Sequence, residues 1–330
     1  RRQRQMCIRD SHRDGVLENE TWPYFDTYNT QTYSPPEHYL SQFANIREGA
    51  CGKPVWLSEC GKPVRYLEGD EPRDPSPEDM REQATFVARS YASSLFAGVD
   101  RHFFYILGDG LGRPAMSYGL LRRDFTPRPA YSAFAAVGRF LAGARCLGRA
   151  TPSVYAFRAW PDGLERDVLV LWREADDAPW SPPPSVRVEA LYDVLGRAIL
   201  ATPAAYKESG PIFALLPKGD AAGIDLAPPP ARAPSRLGAP SPIVLQAALP
   251  QQQARLADQA YVLPTGKPTD IQVYVYNFSE TEAKGKLRLE NPPAALDIEY
   301  SPDPLTLPPM GRIPVTLRTT PQKDSTDLAE

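Results

Sequence analysis

Residues 53–61 read Lys-Pro-Val-Trp-Leu-Ser-Glu-Cys-Gly (KPVWLSECG). Pro54 to Ser58 is a short apolar run with strand character, and Glu59 closes it with a carboxylate. Working outward, residues 23–33 (PYFDTYNTQTY) form another strand-like stretch. Ser34-Pro35-Pro36-Glu37 then reads as a helix start, with Ser34 as cap, Pro35 in the first turn and Glu37 completing a capping box. Tyr39, Leu40, Phe43, Ala44 and Ile46 follow at helical spacing. Ser76-Pro77-Glu78-Asp79 repeats the start signal, and Met80, Ala84, Val87, Ala88, Tyr91 and Leu95 share one face. Residues 101–107 (RHFFYIL) are the next strand, and Thr126-Pro127-Arg128-Pro129 opens a third helix, through Leu141. Strand and helix alternating three times predict parallel strands with right-handed crossovers. Three units cannot close a barrel, because a (β/α)8 barrel takes roughly 250 residues.

After Gly143 the pattern changes. Short strands at 153–158, 167–172, 185–191, 198–201 and 211–215 are separated by Pro161-Asp162-Gly163, Pro182-Pro183-Pro184 and Leu195-Gly196-Arg197. That spacing predicts an antiparallel β domain. Residues 217–242 are rich in Ala, Pro and Arg and read as a linker. In 271–276 (IQVYVY), Ile271, Val273 and Val275 face one way, and strands at 287–289, 296–299 and 313–317 complete a second β domain.

The chain has 330 residues, with 37 Lys+Arg against 40 Asp+Glu and a net charge of -3. That balance argues against a nucleic-acid partner. No apolar run approaches the ~20 residues of a membrane span. Cys7, Cys51, Cys60 and Cys146 form no CxxC, and His12, His38 and His102 are scattered, so no metal site is expected. A strand between Cys51 and Cys60 would hold them roughly 30 Å apart, too far for a disulfide. Gly108-Asp109-Gly110-Leu111-Gly112 matches no phosphate fingerprint, and no cofactor is expected. Residues 1–11 (RRQRQMCIRDS) lack an initiator Met and any periodicity. They read as a non-native segment, so the true N-terminal part is expected to precede this chain.

Several of these pieces occur in a fixed order: residues 25–34, the strand ending in Glu59, residues 100–109, Gly119-Leu120-Leu121, and Thr126 to Tyr131. This order resembles the C-terminal part of retaining (β/α)8-barrel glycoside hydrolases of the cellulase/β-xylosidase-like superfamily. There, strand seven ends Pro-x-Trp-x-[Thr/Ser]-Glu-x-Gly, and Pro-[Lys/Arg]-Pro-Ala-Tyr opens the last helix. The resemblance implies Glu59 as the nucleophile, with Tyr33 donating a hydrogen bond that orients it. It places Gln31 in a substrate-binding pair where the family usually has His. It also places Phe104 or Tyr105 against a sugar ring; strand side chains alternate, so only one of the two can face the cleft. The acid/base belongs to strand four, upstream of this chain. Glu20, Glu37, Glu68 and Asp109 read instead as loop charges or caps.

The expected fold class is therefore α/β plus all-β. Residues 1–11 are a non-native segment, and 12–145 are the last three βα units of a TIM barrel. Residues 146–218 are a small antiparallel β-sandwich, 219–242 a Pro/Ala-rich linker, 243–322 an Ig-like β-sandwich, and 323–330 a tail. The function implied is cleavage of O-glycosidic bonds in a poly- or oligosaccharide by double displacement. A carbohydrate is the only partner implied, with no obligate protein partner, and the location is secreted or periplasmic. The alternative is a non-catalytic carbohydrate-binding or cell-surface spacer protein with a degenerate barrel. Trp160, Trp172 and Trp180 read as β-domain packing, and the sequons at Asn19 and Asn277 as chance.

Overall fold

The computed structural model describes residues 13, 15–17, 20–65, 75–109, 116–173, 180–202, 210–249, 254–255, 260–264, 266–289 and 296–321. The expected non-native segment at 1–11, the tail at 323–330 and Glu68 lie outside them. The chain divides into two compact units, Arg1–Gly238 and Ala239–Glu330. Among the described residues no helix is long and apolar enough to cross a membrane.

The first unit begins with β1 (Tyr28–Thr32), α1 (Tyr39–Gly49), β2 (Val55–Cys60), β3 (Val64–Arg65), α2 (Pro77–Phe96), β4 (Arg101–Phe104), β5 (Met116–Ser117) and α3 (Pro129–Leu141). Strands β1, β2 and β4 form one sheet in that order, and both pairings are parallel, as the alternation predicts. Val55 and Leu57 of β2 are buried against Tyr39 and Phe43 of α1 and Phe86 of α2. The intervening Trp56 and Ser58 point the other way and are exposed, as are Gln31 and Phe103. Among the described residues, helices thus cover one face of this sheet and leave the other largely bare. Trp56 (38% exposed) and Phe103 (47% exposed) meet there at 5.9 Å between ring centroids.

The three helix starts differ in detail. Ser76 caps α2 as expected, its hydroxyl accepting from the Asp79 amide at 3.0 Å. Ser34 makes no cap: a 3-10 turn at Pro36–His38 precedes α1, and the Ser34 hydroxyl accepts from Gln42 instead. At α3 the N-cap position falls to Arg128, because its side chain is buried on Asp109.

Six strands follow: β6 (Arg145–Thr151), β7 (Val154–Ala159), β8 (Arg166–Leu171), β9 (Ala190–Asp193), β10 (Ala198–Ile199) and β11 (Ile212–Leu216). They form a single antiparallel sheet in the order β10-β9-β11-β8-β7-β6, where a sandwich was expected. The reason lies in what covers each face. Tyr155, Phe157 and Phe213 pack on Phe140 and Val137 of α3 and Phe96 of α2, so helices take the place of a second sheet. Val186, Ala221 and Ile224 from connecting segments cover the other face. Because the sheet shares this core with α2 and α3, 12–145 and 146–218 belong to one compact unit. Trp172 is buried, stacked on Tyr155 at 5.4 Å.

Most of the stretch expected to be a linker runs along this unit. Ala227 pairs with Arg149 through two backbone hydrogen bonds of 2.9 Å, Arg232 ion-pairs with Asp100, and the Arg236 amide donates to the Cys51 carbonyl. Gly52 has φ +82°, and a Cβ there would lie 2.5 Å from the Ser235 Cα, so glycine is required where the strap crosses.

The second unit is all β: β12 (Ile243–Ala248), β13 (Ala254–Arg255), β14 (Ala260–Tyr261), β15 (Thr269–Asn277), β16 (Ala283–Gly285), β17 (Leu296–Ser301), β18 (Leu305–Leu307) and β19 (Gly311–Pro321). A four-stranded antiparallel sheet, β12-β15-β19-β17, lies over the β16-β18 ribbon. Ile271, Val273, Val275 and Val315 pack on Leu305 and Leu307 between the layers. Asn277 of the second sequon is fully buried, its amide donating to the Thr281, Leu307 and Pro308 carbonyls, so it is closed to modification.

Candidate active site

A register shift between Leu57 and Cys60 breaks the alternation of β2, so Cys60 joins Val55 and Leu57 on the helix side and Glu59 does not. Cys60 turns into the helix layer, where its thiol lies 3.0 Å from the Tyr39 hydroxyl. Burial pushes that thiol up to about 12, which removes it as a nucleophile at neutral pH. Glu59 stands at the C-terminal end of β2, in register with Gln31 of β1 across a bulge at Thr30/Gln31. In a parallel sheet the C-terminal ends of the strands converge on one rim, where ligands bind.

The Tyr33 hydroxyl donates a hydrogen bond to Glu59 Oε1. Desolvation of the phenol, and after it this hydrogen bond and the Glu59 charge, hold Tyr33 well above the ordinary tyrosine range. Tyr33 therefore stays a proton donor, and the bond it makes to the carboxylate is charge-assisted. Tyr105 meets Tyr33 edge to face at 6.3 Å, and its ring is 38% exposed. Its neighbour Phe104 packs inward near Phe86 and Phe134, each at 6.5 Å. Of the two aromatics at the end of β4, the rim thus receives Tyr105, and Phe104 belongs to the core. Gln31 is exposed beside Glu59.

Gly61 serves a steric purpose. A Cβ at this position would run into the Tyr105 carbonyl oxygen, so glycine lets β2 and the end of β4 approach closely. The Tyr105 amide donates to the Cys60 carbonyl at 2.7 Å, locking that approach.

The structure adds a residue that the sequence did not reveal. Residues 118–121 run alongside 106–109 in parallel: Leu120 N donates to Ile106 O (3.0 Å) and Leu121 N to Leu107 O (2.8 Å). This strap delivers Tyr118 to within 5.2 Å of Tyr33 and 5.7 Å of Tyr105, ring to ring. Three phenols then cluster, one of them, Tyr33, hydrogen-bonded to the Glu59 carboxylate. No spacing rule points to Tyr118, because a loop carries no periodicity.

The strap is anchored on buried polar groups. Arg128 and Asp109, whose side chains are 0% and 2% exposed, form a two-pronged pair at 3.0 and 2.6 Å. Arg128 also donates to the Gly119 carbonyl (2.7 Å), and Asp109 accepts from the Gly119 amide (2.9 Å). Asp109, read from sequence as a loop charge, is therefore a buried structural anchor. Glu37 does sit on the surface, ion-paired with Arg89. A groove of about 1020 Å³ lies elsewhere, lined by Glu78, Arg81, Asp193 and Arg197 among others. None of the site residues line it.

No protein-family model matches the chain, and no curated protein matches it. Among solved structures it is similar to a family 39 glycoside hydrolase from the gut symbiont Bacteroides cellulosilyticus WH2, at 18% identity over 61% of this chain and 46% of that one, with a TM-score of 0.42. It is also similar to SrfJ from Salmonella typhimurium (15% identity, 62% and 46% of the two chains, TM-score 0.37). A GH30 endoxylanase from Clostridium papyrosolvens C71 follows (9% identity, 91% and 50%, TM-score 0.24). The chain spans about half the length of the structures it matches.

Proposed function

We propose that this chain carries the nucleophile half of a retaining glycoside hydrolase. The observation behind this reading is the Glu59 carboxylate at the C-terminal rim of a parallel sheet, hydrogen-bonded by Tyr33 and flanked by exposed Tyr105. In such a reaction a Glu59 oxygen attacks the anomeric carbon as the glycosidic bond breaks, and a second carboxyl protonates the departing oxygen. Water then releases the sugar from the glycosyl ester. Tyr33 orients the attacking oxygen, and Tyr105 offers an aromatic surface to the sugar.

The three βα units are the closing part of a (β/α)8 barrel, and the second unit is an Ig-like sandwich. The bare face with Trp56 and Phe103 is the inside of that barrel. Further βα units would cover it and bring the acid to ~5–5.5 Å from Glu59, the separation of retaining enzymes. A polymeric saccharide substrate fits a secreted or periplasmic enzyme.

The test needs no acid/base. A 2,4-dinitrophenyl 2-deoxy-2-fluoro-β-glycoside has a leaving group that departs without a proton, while the fluorine slows release of the ester. Incubation with the glucoside, xyloside and mannoside, followed by mass mapping, should find one glycosyl group on Glu59. Glu59→Gln should abolish the adduct with the fold intact. Equal labelling of the Gln variant would sink the assignment. Saccharide binding without any adduct would favour the non-catalytic carbohydrate-binding reading.

A further inference from the structure

The strap that carries Tyr118 is tied to the chain beyond β2 by the β3–β5 pairing (Val64 with Ser117, Arg65 with Met116) and by one buried side chain. Gln83 of α2 is fully buried, and its amide nitrogen donates to the carbonyls of Lys62 (3.0 Å) and Tyr118 (3.3 Å). Lys62 lies just past the end of β2, three residues beyond Glu59. The Gln83 amide thus bridges the end of the Glu59 strand and the strap directly. Its Oε1 has no partner among the described residues. An orphaned buried acceptor costs stability, and an apolar side chain of similar size would avoid that cost. The same holds for Asp109 and Arg128, since a fully buried ion pair is often no more stable than its apolar replacement. What these groups supply is direction, because each donates to or accepts from a particular backbone atom of the strap.

We propose that Tyr118 is the third wall of the Glu59 subsite, and that Gln83, with the Asp109–Arg128 pair, is the positioning group that holds it against Tyr33. The saccharide ring at Glu59 meets Tyr33, Tyr105 and Tyr118 together. This inference rests on Glu59 being the sugar-facing carboxylate, so two readouts are needed, one of which involves no sugar. The first is the rate of Glu59 labelling by the fluoroglycoside. The second is the 13Cζ chemical shift of Tyr33 at neutral pH, which reports how that phenol is packed and hydrogen-bonded. Glu59, Tyr105 and Tyr118 are the titratable groups facing that phenol.

In Tyr118→Ala and Gln83→Leu, labelling should slow by about ten- to a hundredfold, the scale of a small misplacement at a reacting centre. The Tyr33 13Cζ shift should move in both, because the Tyr118 ring that packs on that phenol is lost or displaced. Tyr118→Phe keeps the ring and should restore most of the labelling rate. Tyr118→Ala also keeps the test open should Gln83→Leu fail to fold. Wild-type labelling rates and an unmoved Tyr33 resonance in Tyr118→Ala overturn the proposal. A Tyr33 resonance that moves in the variants while the wild-type protein never labels defeats the Glu59 assignment and leaves the positioning intact.

Discussion

Strands β2 and β8 each have six residues and each lie inside a sheet, yet they are buried differently. β8 (RDVLVL) is buried at every position after Arg166, whereas β2 (VWLSEC) alternates as far as Ser58. The sequences say why. β8 carries apolar groups on both faces and finds helices on one side and connecting segments on the other. β2 has Val55 and Leu57 for the helices but Trp56, Ser58 and Glu59 for something else. Parallel sheets are ordinarily covered on both faces; among the described residues β2 has that cover on its helix side, while Trp56 and Ser58 stay exposed. The six-stranded sheet is the stable platform; the three-stranded sheet presents the candidate chemistry.

The contrast breaks most easily in the platform. Phe157→Ala and Phe213→Ala remove fully buried rings from the face that packs on α3. Each should cost about 3–5 kcal/mol, read as a lower urea midpoint of the first unit. A loss under about 1 kcal/mol would mean that the sheet and the α2–α3 pair do not share a core.

Next in size is the Asp109–Arg128 pair. Asp109→Ala leaves the Arg128 guanidinium buried with its carboxylate partner gone and should cost about 3–5 kcal/mol. Replacing both by apolar residues should recover much of that stability while leaving the strap without its tether, so labelling of Glu59 should remain slow. Recovery of both together would show that the pair holds nothing in place.

A pH effect marks the covered face of the parallel sheet. His102 stacks on Tyr91 at 3.8 Å with its Nδ1 2.8 Å from the Ser94 hydroxyl, and its Nε2 is buried with no partner among the described residues. Burial pushes its pKa down to about 3 from an ordinary 6.5. The folded ring therefore stays neutral, while the unfolded one takes up a proton below 6.5. Stability should be unaffected by this residue above that value and should fall as pH drops toward 3. The slope is at most about 1.4 kcal/mol per pH unit. Urea titrations between pH 7 and 5 should show the decline, and His102→Phe should flatten it. An unchanged slope in that variant would place the ring in water.

How far the sequence reveals these features follows from what kind of signal each carries. β2 and α2 are legible because an apolar run and a capped, periodic stretch are local properties. Glu59 and Tyr33 enter through the order of motifs that resembles a known family, since a carboxylate at a strand end is no signal of chemistry by itself; the structure brings the two side chains together. β6 (RCLGRAT) escapes because its strand character comes from pairing with β7, not from its own residues. The single sheet in place of a sandwich escapes because alternation shows that a face is buried and not what buries it. The 217–242 strap reads as a linker because Ala, Pro and Arg carry no pattern, although it lies along Cys51 and Arg149. Tyr118 escapes for the same reason: its place depends on buried side chains distant in sequence.

The smallest stability effect belongs to the bare face, and its smallness is what makes it informative. Phe103 is about half exposed and Trp56 somewhat less, and their rings meet there. Phe103→Ser therefore removes only part of a ring's burial and should change the unfolding free energy by about 1 kcal/mol, well below Phe157→Ala. The same substitution breaks up an apolar patch that includes Trp56, and such patches bind hydrophobic dyes and promote association. Dye fluorescence of the folded chain should fall, and light scattering on concentration should fall with it. A large loss of stability would mean that the face is already covered within this chain. If stability and dye binding both stay unchanged, the face is not an apolar surface awaiting cover, and the barrel reading loses its physical motive.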